Sequence, residues 1–156
     1  YIVPKNDEFF SEYVPQNKDK LKYISNFTGS YGFALILKNN NYLFIDGRYT
    51  LQAKIQCGKY FKIITIPDKL PLDILKKKKC KIGFDPKLHT QKTLKIFFDK
   101  TNCKLVPIVN NLIDKLWKQK KESIFKKFYI LPVKSFGQNY KLKVNKLINI
   151  IKKKKN

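Results

Sequence analysis

Methionine is missing from this 156-residue sequence, and arginine, histidine and tryptophan occur once each, as Arg48, His89 and Trp117. With a single imidazole, just past Asp85-Pro86, and no carboxylate pair beside it at ligand spacing, the chain has no basis for a histidine-built metal centre. His89 is expected to be a surface or helix-start residue. Cys57, Cys80 and Cys103 are odd in number, widely separated and without a Cys-x-x-Cys pairing, which argues against a disulfide framework and a zinc knuckle. Reduced, buried thiols of a cytosolic protein are expected. No Ser or Cys has a candidate base apart from His89, and Thr28-Gly29-Ser30 lacks the lysine of a phosphate-cradling loop. No apolar run approaches a membrane span and no signal-like segment precedes a small-residue cleavage site, so a soluble, cytoplasmic protein with no membrane partner is expected. From the lack of methionine and the apolar opening Tyr1-Ile-Val-Pro4, a fragment is expected.

Lysine fills the place left by these residues. Lys and Arg number 34 against 11 acidic residues, a formal charge of +23 that attracts any polyanion. One competing reading is therefore a stand-alone basic module, or a pseudo-enzyme, that binds nucleic acid or an acidic partner. Base readout favours bidentate arginine, however, and stacking needs exposed aromatics among cations. With one arginine, and with Tyr and Phe falling mainly in core-like patterns, the charge is better read as a lysine-rich surface. Where lysine serves for every other positive charge, the lone guanidinium of Arg48 points to a planar, multi-donor task, against which stands an arginine left by chance on a solvated helix face.

Periodicity supplies the elements. Tyr1 to Val3 is a short strand stopped by Pro4, and Lys18 to Ser25 a short helix with Leu21 and Ile24 on one face. Phe33 to Leu37 and Tyr42 to Ile45 are continuous apolar runs joined at Asn39-Asn40-Asn41, a hairpin whose two faces are both covered. After Asp46-Gly47 a helix spans Arg48 to Gln56, with Leu51 and Ile55 four apart, and ends at Gly58. A strand from Phe61 to Ile66, a short helix within Asp68 to Lys79, a strand from Cys80 to Phe84, a helix from Lys92 to Lys100 and a strand from Lys104 to Ile108 follow. Asn110 or Asn111 caps a last helix ending at Trp117. The alternation predicts an α/β domain, a mixed β-sheet flanked by helices, over residues 1–117. Residues 118–127 read as a linker. Residues 128–156 read as the truncated start of a second, related domain, with a strand from Phe128 to Leu131 and an amphipathic helix carrying Val144, Leu147, Ile148 and Ile151.

Six stretches, in order, then resemble one family: Tyr1-Ile-Val-Pro4, Ser11-Glu-Tyr-Val-Pro15, Tyr23-Ile-Ser-Asn-Phe-Thr-Gly-Ser30, Asp46-Gly-Arg-Tyr-Thr-Leu-Gln-Ala53, Gly83-Phe-Asp-Pro86 and the segment from Leu105 to Trp117. Together they resemble the creatinase N-like N-terminal domain of the Xaa-Pro aminopeptidases, the aminopeptidase P family. One difference is the Lys-Gln-Lys-Lys-Glu that follows Trp117, where the family usually has an Arg-Pro pair. The resemblance implies a six-stranded mixed sheet of ribonuclease H-like architecture. It also implies a parent metallopeptidase that removes the N-terminal residue preceding proline, with two divalent metal ions, manganese as a rule, in a pita-bread catalytic domain absent from this segment. No cofactor is expected in the segment itself. The implied partners are the catalytic domain of the same chain, a second subunit and peptides with proline in second position.

The candidate site is the corner that ends the second hairpin strand. Asp46 is expected to cap the following helix and Gly47 to allow the change of direction, both structural roles. Arg48 lies in the first helical turn, where the helix dipole disfavours a cation, so a carboxylate partner is expected, from a side chain or from substrate. The family's N-terminal domain lies near the active-site opening, often that of a neighbouring subunit. This makes Arg48 and Tyr49 candidates for substrate-end contact or for an interdomain brace, and the domain itself a gate on substrate access and a support for assembly.

Overall fold

The computed structural model describes residues 1–117 and 127–154. It divides into two compact units, Tyr1–Ser123 and Ile124–Asn156. The first is built on a six-stranded mixed sheet of order β4-β3-β2-β1-β5-β6. Its strands are β1 (Ile2–Pro4), β2 (Gly32–Ile36), β3 (Asn41–Asp46), β4 (Lys62–Ile66), β5 (Lys81–Phe84) and β6 (Lys104–Pro107). The β1–β2 and β2–β3 pairs are antiparallel; the other three are parallel. Parallel pairs need crossover connections, which α2 (Thr50–Cys57) supplies between β3 and β4 and α4 (Gln91–Phe98) between β5 and β6. Helices α1 (Lys20–Ser25), α2 and α5 (Leu112–Leu116) pack on one face of the sheet and α3 (Pro71–Leu75) and α4 on the other.

The continuous apolar runs of the hairpin follow from this sandwiching. Side chains alternate faces along a strand, so Val3, Ala34, Leu43 and Ile45 enter a core with Leu21, Phe27, Ala53 and Ile113. Their neighbours Ile2, Phe33, Leu35 and Phe44 enter a second core with Leu75, Ile82 and Phe98. Phe33 and Phe44, paired across the hairpin, stack at 4.8 Å between ring centroids. Gly32 opens β2 because a Cβ there would lie 2.7 Å from the Phe44 carbonyl oxygen.

The helix ends are fixed by side chains of the expected kind. Asp19 accepts from the Lys22 N–H to cap α1, Thr90 from Thr93 to cap α4, and Asn111 from Ile113 to cap α5. Asn26 closes α1 in the left-handed conformation, φ 62°. The Tyr23 ring stacks on Trp117 at 4.7 Å and Lys20 pairs with Asp114, so α1 and α5 are fastened to each other as well as to the sheet.

Four expectations are corrected. The helix expected from Arg48 begins as a 3₁₀ turn, Gly47–Tyr49, before α2 proper. Leu51 and Ile55 are 77% and 85% exposed, because the small Ala53 and Cys57 form the buried face and let α2 approach the sheet closely. Only Cys57 is a buried thiol; Cys80 and Cys103 are half-buried. No strand forms over Phe128 to Leu131, which is largely exposed and pairs with no strand among the described residues.

The second unit contains α6 (Val133–Phe136) and α7 (Tyr140–Lys153), the latter capped by Asn139. Val144, Leu147, Ile148 and Ile151 lie on α7 as the spacing predicts and are 40–57% exposed, so this apolar stripe has no covering layer among the described residues. The linker expected at residues 118–127 lies almost wholly outside the described residues.

Candidate functional site

The corner after β3 is held by one carboxylate. Asp46, extended at φ −70° and ψ 147°, accepts the Arg48 backbone N–H at Oδ1 and so caps the 3₁₀ turn. The same oxygen takes the Arg48 Nε–H at 2.9 Å, and Oδ2 lies 3.5 Å from the Nη2 group. The carboxylate expected beside Arg48 is thus a side chain of its own turn. Hydrogen bonds from the guanidinium and then from the Arg48 backbone lower the Asp46 pKa below the usual carboxylate value, and Asp46 raises that of Arg48. Gly47 supplies the carbonyl that accepts from the Thr50 hydroxyl, and its Cβ position would meet only the Thr65 methyl at 3.7 Å.

Arg48 and Tyr49 divide the work. The Arg48 side chain is 71% exposed and its bonds end within the corner, so several of its five N–H donors remain available. Tyr49 reaches inward. Its hydroxyl lies 2.7 Å from Ser30 Oγ and its ring meets Phe27 edge-on at 5.8 Å, tying the corner to the approach to β2. The Ser30 hydrogen bond lowers the Tyr49 pKa. The Arg48 Cζ sits 5.5 Å from the Tyr49 ring centroid, which limits the directions its guanidinium can take.

Arg48 also borders a cleft of about 380 Å³ between β1, the start of β2, α4 and the loop after β1. That loop is shaped by Asp7, which is buried and accepts from the Phe9 and Ser11 backbone N–H groups, turning Phe10 to φ 54° and bringing Phe10 and Glu12 to the cleft. Ile2, Phe33, Leu94 and Phe97 add apolar lining. His89 lines it too, so it is a half-buried wall residue at the entrance to α4 and not a surface one. Its ring packs edge-on against Phe84 at 5.8 Å and its buried Nε2 has no hydrogen-bond partner among the described residues. Burial lowers its pKa from 6.5 to about 4, against the opposing charge of Asp85, so the imidazole is neutral at pH 7.

Such a cleft suits an apolar group next to an anion. It does not assemble a nucleophile with a base, since Ser30 is engaged by Tyr49 and His89 has no hydroxyl or thiol partner. Among the described residues no group of three or more His, Cys, Asp and Glu side chains is placed to hold a metal ion. Asp85, the carboxylate nearest in sequence to His89, is taken up by Asn111 Nδ2 at 2.7 Å and by the Lys87 N–H at 2.9 Å. The cleft itself gave no sequence signal, because its walls come from four separated segments.

The mixed sheet with helices on both faces, and a basic corner closing its second hairpin strand, define an α/β domain. Residues 9–116 match the model of the creatinase/prolidase N-terminal domain, and the chain belongs to that family. The chain is 33% identical over 166 residues to the probable Xaa-Pro aminopeptidase P of Coprinopsis cinerea, covering 99% of this chain and 26% of that protein. Aminopeptidase P1 of Lotus japonicus is 31% identical over 145 residues, covering 88% and 22%. The chain thus spans about a quarter of the length of the curated relatives it matches. Among solved structures, the X-prolyl aminopeptidase of Caenorhabditis elegans, a cytosolic enzyme with a di-nuclear active site, superposes with a TM-score of 0.77 at 27% identity over 99% of this chain and 27% of that one. No described helix is long and apolar enough to cross a membrane.

Proposed function

We propose that this chain is the non-catalytic N-terminal part of a cytoplasmic, metal-dependent Xaa-Pro aminopeptidase. In this proposal residues 1–117 are the accessory domain, residues 128–156 open a second, related domain, and the catalytic domain, with two manganese ions, is supplied by the rest of the parent protein. The domain gates access of peptides with proline in second position and supports assembly with a second subunit. One observation carries the reading. Arg48 is held by Asp46 and Tyr49 at an apolar cleft, with guanidinium donors left over and most of its surface exposed. A cation fixed from behind in this way is prepared to receive a carboxylate from outside the domain, and the peptide substrate is the source we assign.

The test is Arg48→Lys in the full-length enzyme. Lysine keeps the charge and loses the fork that serves Asp46 and a second carboxylate at once. The Michaelis constant for a proline-second peptide is expected to rise about tenfold, one charge-assisted hydrogen bond being worth about 1.5 kcal/mol. The melting temperature is expected to hold within about 1 °C, because an exposed pair contributes little. A fall in melting temperature with unchanged kinetics would make Arg48 an interdomain brace instead.

A further inference from the structure

Cys80 and Cys103 stand 23 positions apart in sequence with their sulfurs 3.3 Å from each other. The sheet register makes this so. In the parallel β5–β6 pair Lys81 lies opposite Lys104, so the residues just before them are the next cross-strand neighbours, and the Lys104 N–H donates to the Cys80 carbonyl at 2.9 Å. Adjacent strands lie about 4.8 Å apart, a spacing within the Cα separations of about 4.4–6.8 Å that a disulfide spans. Neither sulfur is sealed off. Cys80 borders an open pocket of about 480 Å³ that also carries Lys78, Lys79 and Lys81, and Cys103 borders one of about 210 Å³ beside Leu94 and Phe98. Cys57, by contrast, is buried in the other core, beneath α2.

We propose that Cys80 and Cys103 form a reactive dithiol, a modification site that a small anionic disulfide such as glutathione disulfide converts to an intrachain disulfide. The thiolate of Cys80, which borders the lysine-lined pocket, attacks one sulfur of the reagent, forming a mixed disulfide and releasing one glutathione thiolate. The Cys103 thiolate then attacks the Cys80 sulfur and expels the second. The two thiol protons end on the two released glutathiones, and the two electrons lost by the protein reduce the reagent's sulfur–sulfur bond. The lysines around Cys80 favour the approach of the anionic reagent. The bond formed closes the loop containing His89 and α4, which supply one wall of the Arg48 cleft. Oxidation thereby fastens that wall at its far end, whether or not the parent protein hydrolyses peptides.

The experiment exposes the full-length protein to glutathione disulfide or to dithiothreitol, blocks free thiols under denaturing conditions and maps peptides without reduction. A peptide pair joined through Cys80 and Cys103 in the oxidised sample alone is the expected result, with Cys57 still alkylated. In Cys103→Ser, Cys80 is expected to carry a persistent glutathione adduct instead. The oxidised protein is expected to melt about 5 °C higher, since closing a loop of this size restricts the unfolded chain. Three outcomes each overturn the proposal: both thiols remaining free, single glutathione adducts that never resolve in the wild type, or pairing of either cysteine with another residue.

Discussion

Replacing Asn111 with alanine is expected to cost the domain about 3 kcal/mol, measured as a lower urea midpoint with an unchanged m-value. Asn111 is 5% exposed and does two things at once. Its Oδ1 caps α5 through the Ile113 N–H at 2.9 Å, and its Nδ2 donates to Asp85 Oδ2 at 2.7 Å. Loss of the cap accounts for about 1 kcal/mol. The larger part comes from Asp85, which is also 5% exposed and would keep only the Lys87 N–H as a partner, leaving a buried carboxylate oxygen unpaired. Asn111→Ser, which can still cap but cannot reach Asp85, is expected to recover about a third of the loss. If alanine costs under about 1 kcal/mol, the Asp85–Asn111 bond does not join β5 to α5 in the way described.

Acid is expected to weaken the fold through His89. Its pKa falls from 6.5 to about 4 on folding because burial penalises the imidazolium. Between those values the unfolded chain holds a proton that the folded chain refuses, so this contribution is fully present above pH 6.5 and is lost as pH falls toward 4. The full difference corresponds to about 3 kcal/mol, most of it already lost at pH 4.5. Urea titrations at pH 7.5 and pH 4.5 are expected to differ by about this amount, with carboxylates such as Asp46 adding further loss at lower pH. His89→Gln should remove most of the difference. As His89 is the sole histidine of the chain, its ring resonance gives an independent check by titrating near pH 4. A midpoint near 6.5 would place the ring in solvent.

The elements of the sheet were readable in the sequence because their pattern has a single physical explanation. Runs without polar alternation, such as Phe33 to Leu37, require cover on both faces, and the sheet provides it with α1, α2 and α5 on one side and α3 and α4 on the other. Caps were readable for the same reason, as Asn111 and Asp46 each sit where a free N–H must be met. The face of α2 was not. Leu51 and Ile55 have the spacing of a core stripe, yet Ala53 and Cys57 are buried, because close packing against a sheet selects small residues and spacing alone does not. Nor was Phe128 to Leu131, whose composition favours a strand that has nothing to pair with among the described residues.

The site divides along a similar line. That Arg48 needs a carboxylate followed from its position near a helix start; that Asp46 supplies it, while Tyr49 turns inward to Ser30, required coordinates. His89 was assigned to a helix entrance correctly, but its burial depends on Phe84 and on a cleft drawn from four segments. The meeting of Cys80 and Cys103 depends on parallel register, which leaves no mark in local spacing.

The strand order makes β4 and β6 the edge strands, and no strand among the described residues pairs with their outer sides, so each offers backbone groups able to recruit a strand from another molecule. In β6 the short segment Lys104–Pro107 opens on a charge and closes on a residue with no N–H to offer. In β4 the opening residue, Lys62, is exposed, and Pro67 follows directly after the strand. A docking strand would have to bury an ammonium group and forgo a hydrogen bond at either edge. The lysine excess that first resembled a nucleic-acid footprint therefore also acts against fibrous self-association of a chain in which 43% of residues are hydrophobic.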